Sequence, residues 1–487
     1  MVTHGSPQLI VVGAGAAGLY AAICAARDGA GVALVSATPL AESSSYWAQG
    51  GLAAAISAQD SPEQHLADTV KAGRDAVRES AARALASEAG AAVEDLARLG
   101  VSFDADRSGR LALGLEGGHS VRRIVHAGGA STGRRIVRQL SAVVAQQPLI
   151  DVVEDRRVTA LLTHDGRCTG VVLDGGQTLV APATVLATGG SAALWARTTN
   201  PPGATGGGLL LAHQAGAELA DLEMMQFHPT ALVGDNGVSG LLVTEAIRGE
   251  GARLLDADGE RFVDELAPRD EVARAIFRKL TLTGAESVDL DMRDVEPALF
   301  PTVVTALRQA GLDPQRELIP VAPAAHYMMG GIATDLDARS SLPGLMAIGE
   351  CSCTGLHGAN RLASNSLSEC FVFGARAASA AIEEPPLEQA APALAPGAPA
   401  PAAAPVLTLA SREALWRHAG IERSADGLRL LLDDPHPLAR LVAEAALTRT
   451  ETRGAHVRSD FPDLDRALDH RHVVLAPGRK PQFELWT

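Results

Sequence analysis

Aromatic side chains make up only 3% of the 487 residues, too few for the stacking platforms on which single-stranded nucleic acids lie. Positive charge is short as well: 42 Lys and Arg face 57 Asp and Glu, a formal net charge of −15, whereas a chain that neutralises phosphates carries a basic balance. Both shortages tell against a nucleic-acid surface, and an anionic small molecule would need positive charge gathered locally. Cysteine is scarce and odd in number. Cys24, Cys168, Cys351, Cys353 and Cys370 have neither the density of a disulfide scaffold nor the paired spacing of a zinc site. Cys351 and Cys353 form a CxC pair, but no further Cys/His pair completes it, so no metal is expected and the thiols are read as reduced, in a cytoplasmic protein. No basic stretch leading into an apolar run opens the chain, so no export signal is expected. Long apolar runs are missing too. The uncharged stretch Gln389 to Ser411 contains Pro392, Pro396, Pro399, Pro401 and Pro405, and each proline costs a helix about 3 kcal/mol. It reads as an extended Ala/Pro linker, not as a membrane span.

What is present is a globular composition, 47% hydrophobic and 20% charged, at a length that calls for two or three domains. Gln8 to Val12 is an apolar strand, Leu19 to Arg27 an Ala-rich helix and Val32 to Val35 a second strand, a βαβ opening. Strand-like runs ending in glycine recur at Thr184 to Gly190 and Gly344 to Gly349. The segment 222–327 has its own helical stretches, Asp270 to Leu280 and Pro301 to Ala310, and looks inserted. Beyond the linker, Ser411 to Ala419, His436 to Thr450 and Phe461 to His470 read as the helices of a small bundle.

Gly13, Gly15 and Gly18 give GxGxxG directly after a strand, with Ala16 and Ala17 leading into the helix. In that context the glycines permit a tight turn and close backbone approach, and the helix N-terminus offers unpaired N–H groups to a pyrophosphate. Ser36 ends the second strand where an acid usually holds the ribose, and its hydroxyl is the candidate there. Three further turn-like segments follow: Ser43, Ser44 and Ser45 through Ala48, Gln49, Gly50 and Gly51; Thr188, Gly189 and Gly190; and Ala347 to Glu350. A long cofactor gripped by distant pieces of one discontinuous domain explains that spread, which favours FAD over NAD and makes Glu350 a second ribose candidate. Standing alone, Glu350 would be an ordinary surface carboxylate.

The runs Tyr46 to Gly51, Gln226 to Thr230, Thr244 to Ala252 and His357 to Leu367 together resemble the succinate dehydrogenase and fumarate reductase flavoprotein superfamily. Within it the chain is most similar to the L-aspartate oxidase family, and the likeness extends to Ser424, Gly427 and Glu451 to His456. The resemblance implies an α/β fold: a Rossmann-like FAD-binding domain over 1–221 and 328–385, with an α+β capping domain inserted at 222–327. The linker at 386–407 and a C-terminal three-helix bundle at 408–487 complete it. Ser366 and Leu367 join the cofactor residues by the same resemblance. Ser44 replaces the histidine that carries covalent FAD in membrane relatives, so non-covalent FAD is implied. Gly207 replaces an aspartate found near the flavin, and the C-terminal region is shorter than in relatives.

A four-carbon dicarboxylate has two anionic ends, which arginine forks neutralise best. Singly, a histidine in apolar surroundings is more often a core residue and an arginine a solvated one; membership in the family motifs reverses those odds. The resemblance assigns Arg361 and His326 to one carboxylate, His228 and the Thr244 hydroxyl to the other, and Arg269 to proton transfer or an electrostatic clamp, with Arg248 a weaker candidate. It implies oxidation of L-aspartate to iminoaspartate with reoxidation by O2, giving hydrogen peroxide, or by fumarate. Quinolinate synthase is the implied consumer of the product, in NAD biosynthesis. Glu116 separates this expectation from a soluble fumarate reductase or a succinate dehydrogenase flavoprotein, because a carboxylate can pair the substrate ammonium and succinate has none. A flavin-bound scaffold without activity would instead show tight FAD binding and no reduction by any dicarboxylate.

Overall fold

The computed structural model describes residues 7–40, 43–234, 240–387 and 406–487. Most of the 386–407 linker therefore lies outside the described residues. Short apolar runs bounded by turns give the first sheet: β1 (Leu9–Val12), β2 (Val32–Val35), β3 (Ile150–Val153), β4 (Ala183–Leu186) and β5 (Leu345–Ala347). They pair in the order β5-β4-β1-β2-β3, and every pairing is parallel. Strands β1, β2, β4 and β5 are buried at every residue, as expected where helices cover both faces of a parallel sheet. Helix α1 (Ala16–Arg27) leaves β1 through the glycine turn and packs on α2 (Asn365–Ile382), where the rings of Tyr20 and Phe371 meet edge to face at 5.3 Å. Alanines on both helices let them come close. Segments more than 300 residues apart in the sequence thus meet over one sheet.

A second sheet is antiparallel, with the strands Met225–Leu232, Ile319–Met328, Val288–Asp291 and Arg253–Leu255 in that order. Its ladder slips between His228 and Ala231, where Pro229 has no N–H to donate. Irregularities of this kind re-aim side chains, and His228 stands at this one.

Past residue 406 the helices are Leu409–His418, Ala425–Leu431 and Pro437–Thr448. Phe461 to His470, expected as a helix, is a loop with a single turn at Arg466–Leu468. Buried ions claim its backbone instead: Glu451 accepts from the Asp465 N–H at 2.9 Å, and Arg453 donates to the Asp465 carbonyl at 2.9 Å. The region is not purely helical either. Arg471–Leu475 and Gln482–Leu485 form a hairpin that joins the strand Leu219–Ala220 of the preceding portion.

An ion network ties these parts together. Arg449 reaches Glu223 at 2.8 Å and Glu451 at 3.0 Å, and Arg453 reaches Glu451 at 2.7 Å, all with side chains at most 1% exposed. Removing one partner of such a network leaves charge buried and unpaired, at about 3–5 kcal/mol. Arg449→Met should therefore lose stability on that scale in denaturant unfolding of the FAD-loaded protein. A loss below about 1 kcal/mol, the range of exposed pairs, would show that the network does not secure the C-terminal region.

Candidate active site

The cofactor cradle forms at the edge where β1, β4 and β5 end. Gly13 has φ +112°, and a Cβ there would lie 2.2 Å from the Ala187 carbonyl oxygen; one on Gly18 would lie 1.9 Å from the Gly13 oxygen. Only glycine permits both approaches. Helix α1 starts at Ala16 with no side-chain cap from Gly15 and no acid in its first turn, which leaves it suited to a phosphate. Ser45, in the turn Ser44–Trp47, accepts from the Ala16 N–H at 3.2 Å, and Ala48 accepts from the Gly133 N–H. Ser44 itself is exposed. The Gly51 N–H donates to Ser364 at 3.1 Å, and Gly50 packs against the same hydroxyl. Ser36 is buried at the end of β2 and donates to the Thr38 carbonyl at 2.6 Å. Glu350 accepts from the Met328 N–H at 3.0 Å, and burial pushes its pKa up to about 7. Its carboxylate fills the space beside Gly190, where a Cβ would come within 2.0 Å, and Ala17 faces Gly349. Gly189 takes φ +73° in the same turn.

Four polar atoms of these segments, Ser43 Oγ, Gln49 Oε1, Thr188 Oγ1 and Ser191 Oγ, are buried without a hydrogen-bond partner. An unsatisfied buried polar group costs about 1–3 kcal/mol, so the cradle suits a long, polar ligand, as FAD is. Gly207 begins the helix Gly207–Ala215 with open space where a side chain would stand. Leu367 is buried in the first turn of α2, beside Ser366.

Next to the cradle, the structure brings His228, His326, Arg269 and Arg361 together from four separate segments. The two imidazoles lie on neighbouring antiparallel strands with ring centroids 5.2 Å apart. His228 Nδ1 accepts from the Thr230 N–H at 3.2 Å, which places its proton on Nε2. His326 Nδ1 lies 2.8 Å from the Thr199 hydroxyl. Arg269 opens the helix Arg269–Thr283, and its Nε donates to Glu245 at 2.6 Å while Nη1 donates to Gln226 at 3.3 Å. Arg361, in the turn before α2, donates from Nη1 to Ser366 at 3.1 Å and rests its guanidinium 4.5 Å from the centre of the Tyr327 ring. Its Nε is buried without a partner.

Burial, then the charge of Arg269, holds both imidazoles well below their ordinary pKa, with Arg361 adding to the effect. They are neutral hydrogen-bond donors here, not cations. Burial and Arg269 also bring Arg361 down to about 10, so it stays charged at neutral pH. Burial alone would raise Glu245, yet Arg269 and Arg248 hold it at about 2. Arg269 therefore has a carboxylate partner, whereas Arg361 makes no ion pair with any described residue. The site as a whole is short of an anion.

Glu116 sits at the rim, half-buried, and accepts from the Ser364 hydroxyl at 2.7 Å. Its loop lies against Glu245, since a Cβ on Gly117 would come within 2.0 Å of that carboxylate. Thr244 is half-buried and precedes the helix Glu245–Gly249. Two residues that the sequence reading included only as parts of motif runs were given no role there. Glu245 is the partner of Arg269, and its i,i+3 spacing to Arg248 was the available signal. Gln226 donates to Asn360 at 3.0 Å and to the Arg361 carbonyl at 2.9 Å while accepting from Arg269. It couples the two arginine segments, and no local pattern announces that.

Comparison with known proteins identifies the family. A family model described as FAD binding domain matches residues 8–367, and one described as fumarate reductase flavoprotein C-term matches 430–484. An L-aspartate oxidase of Caulobacter vibrioides is 45% identical over 97% of this chain and 96% of its own. One of Streptomyces coelicolor is 42% identical over 96% and 91%. Among solved structures, a quinol-fumarate reductase with menaquinol superposes with a TM-score of 0.87 at 29% identity, covering 99% of this chain and 98% of that one. An adenylylsulfate reductase of Archaeoglobus fulgidus, 16% identical with a TM-score of 0.72 over 99% and 96%, shares the fold alone.

Proposed function

The chain belongs to the L-aspartate oxidase family, within the succinate dehydrogenase and fumarate reductase flavoproteins, and we propose how its residues carry out the FAD-dependent oxidation of L-aspartate to iminoaspartate. When bound, FAD supplies the acceptor for the hydride that leaves Cα. Everything else falls to the protein: position, charge and the exclusion of water.

The observation that carries the reading is Arg361, buried and charged with no carboxylate of its own among the described residues, in one site with two neutral imidazoles. Arg361 and His326 hold one substrate carboxylate; His228, through Nε2–H, and the Thr244 hydroxyl hold the other. Neutral donors suit the second end because a further cation beside Arg269 and Arg361 would repel both. Arg269, bonded through Nε to the Glu245 carboxylate, serves as an electrostatic clamp beside the reacting carbon. Glu116 pairs the substrate ammonium at the half-buried rim, and the proton that the nitrogen gives up as Cα loses its hydride passes by way of this carboxylate to solvent. The flavin domain 1–221 with 328–385, the cap 222–327 and the C-terminal unit 408–487 are the divisions we adopt, with the site where the first two meet.

The two electrons leave for fumarate, giving succinate, or for O2, giving hydrogen peroxide; fumarate fits the same carboxylate clamps. Iminoaspartate then serves quinolinate synthase in NAD biosynthesis. Five free cysteines support a cytoplasmic setting, and no described helix is long and apolar enough to cross a membrane. FAD is held without a covalent bond, because Ser44 offers no imidazole to form one. Acid precipitation of the yellow protein should leave the colour in the supernatant, and colour kept in the pellet would refute non-covalent binding.

Glu116→Gln keeps the shape of the side chain and removes its charge. Aspartate oxidation should fall by roughly 1.5–3 kcal/mol in kcat/KM, the scale of a charge-assisted hydrogen bond. Fumarate reduction with an artificial donor should persist, since fumarate has no ammonium. Equal loss in both assays, or no loss with aspartate, would remove Glu116 from that role and favour a fumarate reductase.

A further inference from the structure

Arg269 and Arg361 are held in opposite ways. A direct bond from Nε to Glu245 secures the first, and it occupies part of the fork that a substrate carboxylate would use. The second lies over the Tyr327 ring, a contact that takes none of its N–H groups. Behind that ring stands a buried polar group with no place in the mechanism above. The Tyr327 hydroxyl donates to Glu369 Oε2 at 2.9 Å, and His357 Nε2 lies 2.9 Å from the same oxygen. Tyr327, His357 and Glu369 are 7%, 5% and 2% exposed.

Two donors converge on one carboxylate oxygen, which acts only as an acceptor. Donating to it pushes electron density from the phenol into the ring and deepens the negative face that Arg361 meets. Glu369 also lies one turn beyond Ser366 on α2, so the helix that receives Arg361 Nη1 also carries the acid behind Tyr327. Glu350 and Glu116 add negative charge around the guanidinium without pairing it.

The geometry points to Tyr327 and Glu369 as positioning residues: Glu369, acting through the Tyr327 phenol, is the counter-charge that holds Arg361 in place with every N–H of its fork but the one bonded to Ser366 left for a substrate carboxylate. A carboxylate bonded to Arg361 directly would compete with the substrate, whereas one acting across a ring does not. This rests on the reading of Arg361 as a carboxylate clamp.

The test uses FAD-loaded enzyme. Fumarate is titrated into the oxidised form, with flavin absorbance as readout, and KM and kcat for L-aspartate are measured alongside. Tyr327→Phe and Glu369→Gln should each raise the fumarate Kd and the aspartate KM about 3- to 10-fold, a fraction of the worth of a desolvated cation–π contact, because both variants keep the ring and lose only its link to the buried carboxylate. In both, kcat should change by less than about twofold, because substrate and transition state use the clamp alike. The double variant should bind no more weakly than the weaker single one, since both changes break one relay. Residues that merely pack would lower melting temperature or flavin content and leave the Kd of the loaded fraction unmoved. Tyr327→Phe suffices alone if Glu369→Gln does not fold. Arg361→Leu is the reference: if it weakens fumarate binding while Tyr327→Phe does not, or if the two single effects multiply, the relay is wrong. If Arg361→Leu changes nothing, the clamp and the relay fall together.

Discussion

Arg361 is 5% exposed, lies near the half-buried guanidinium of Arg269 and has no carboxylate of its own at ion-pair distance among the described residues. Taking a charge out of water costs several kcal/mol unless something offsets it. Here the offset has two parts. The Tyr327 ring and the Ser366 hydroxyl hold the side chain, and in the proposed function an anionic substrate completes the balance on binding. On that proposal the incompleteness is what selects carboxylates, in a protein whose overall charge is −15. The same field explains why His228 and His326 are neutral. A third and fourth positive charge would be costly there, so the imidazoles contribute direction and the arginines contribute charge.

Holding two guanidiniums near each other requires rigid supports from separate parts of the chain. Arg269 rides on the first turn of a helix packed on the antiparallel sheet, through a core that includes Ala273, Met225 and Phe227. Arg361 belongs to the turn before α2, which packs on α1 and the parallel sheet. Gln226 bonds to both arginine segments. The cofactor cradle and the substrate groups share these supports: Ser364 touches Gly51 on the cofactor side and Glu116 on the substrate side. A change in one layer is therefore felt in the other.

Local patterns made part of this legible in advance. The turn at Gly13 to Gly18 could be read because its glycines have a fixed local spacing, and the structure shows the steric demands they answer, one local at Gly13 and one distant at Ala187. Strands β1, β4 and β5 were visible as short apolar runs ending near glycine, and β2 as the second strand of the βαβ opening. The expected site residues His228, His326, Arg269 and Arg361 do converge, but motif likeness singled them out, since nothing in their spacing brings them together. What stayed hidden depends on contacts between distant segments. Glu245 looked like any glutamate in a helical turn until Arg269 was placed on it. Phe461 to His470 has helical composition, yet Glu451 and Arg453 take its backbone groups for tertiary bonds. The hairpin Arg471–Leu475 and Gln482–Leu485 was missed because its pairing strand, Leu219–Ala220, is two residues long and far away in the chain.

The central claim is that this site binds a four-carbon dicarboxylate bearing an ammonium group and passes its electrons to FAD. Mixing the FAD-loaded protein anaerobically with L-aspartate, and separately with succinate, tests it most directly. L-Aspartate should bleach the flavin absorbance and succinate should leave it unchanged. Bleaching by succinate without bleaching by L-aspartate would contradict the claim.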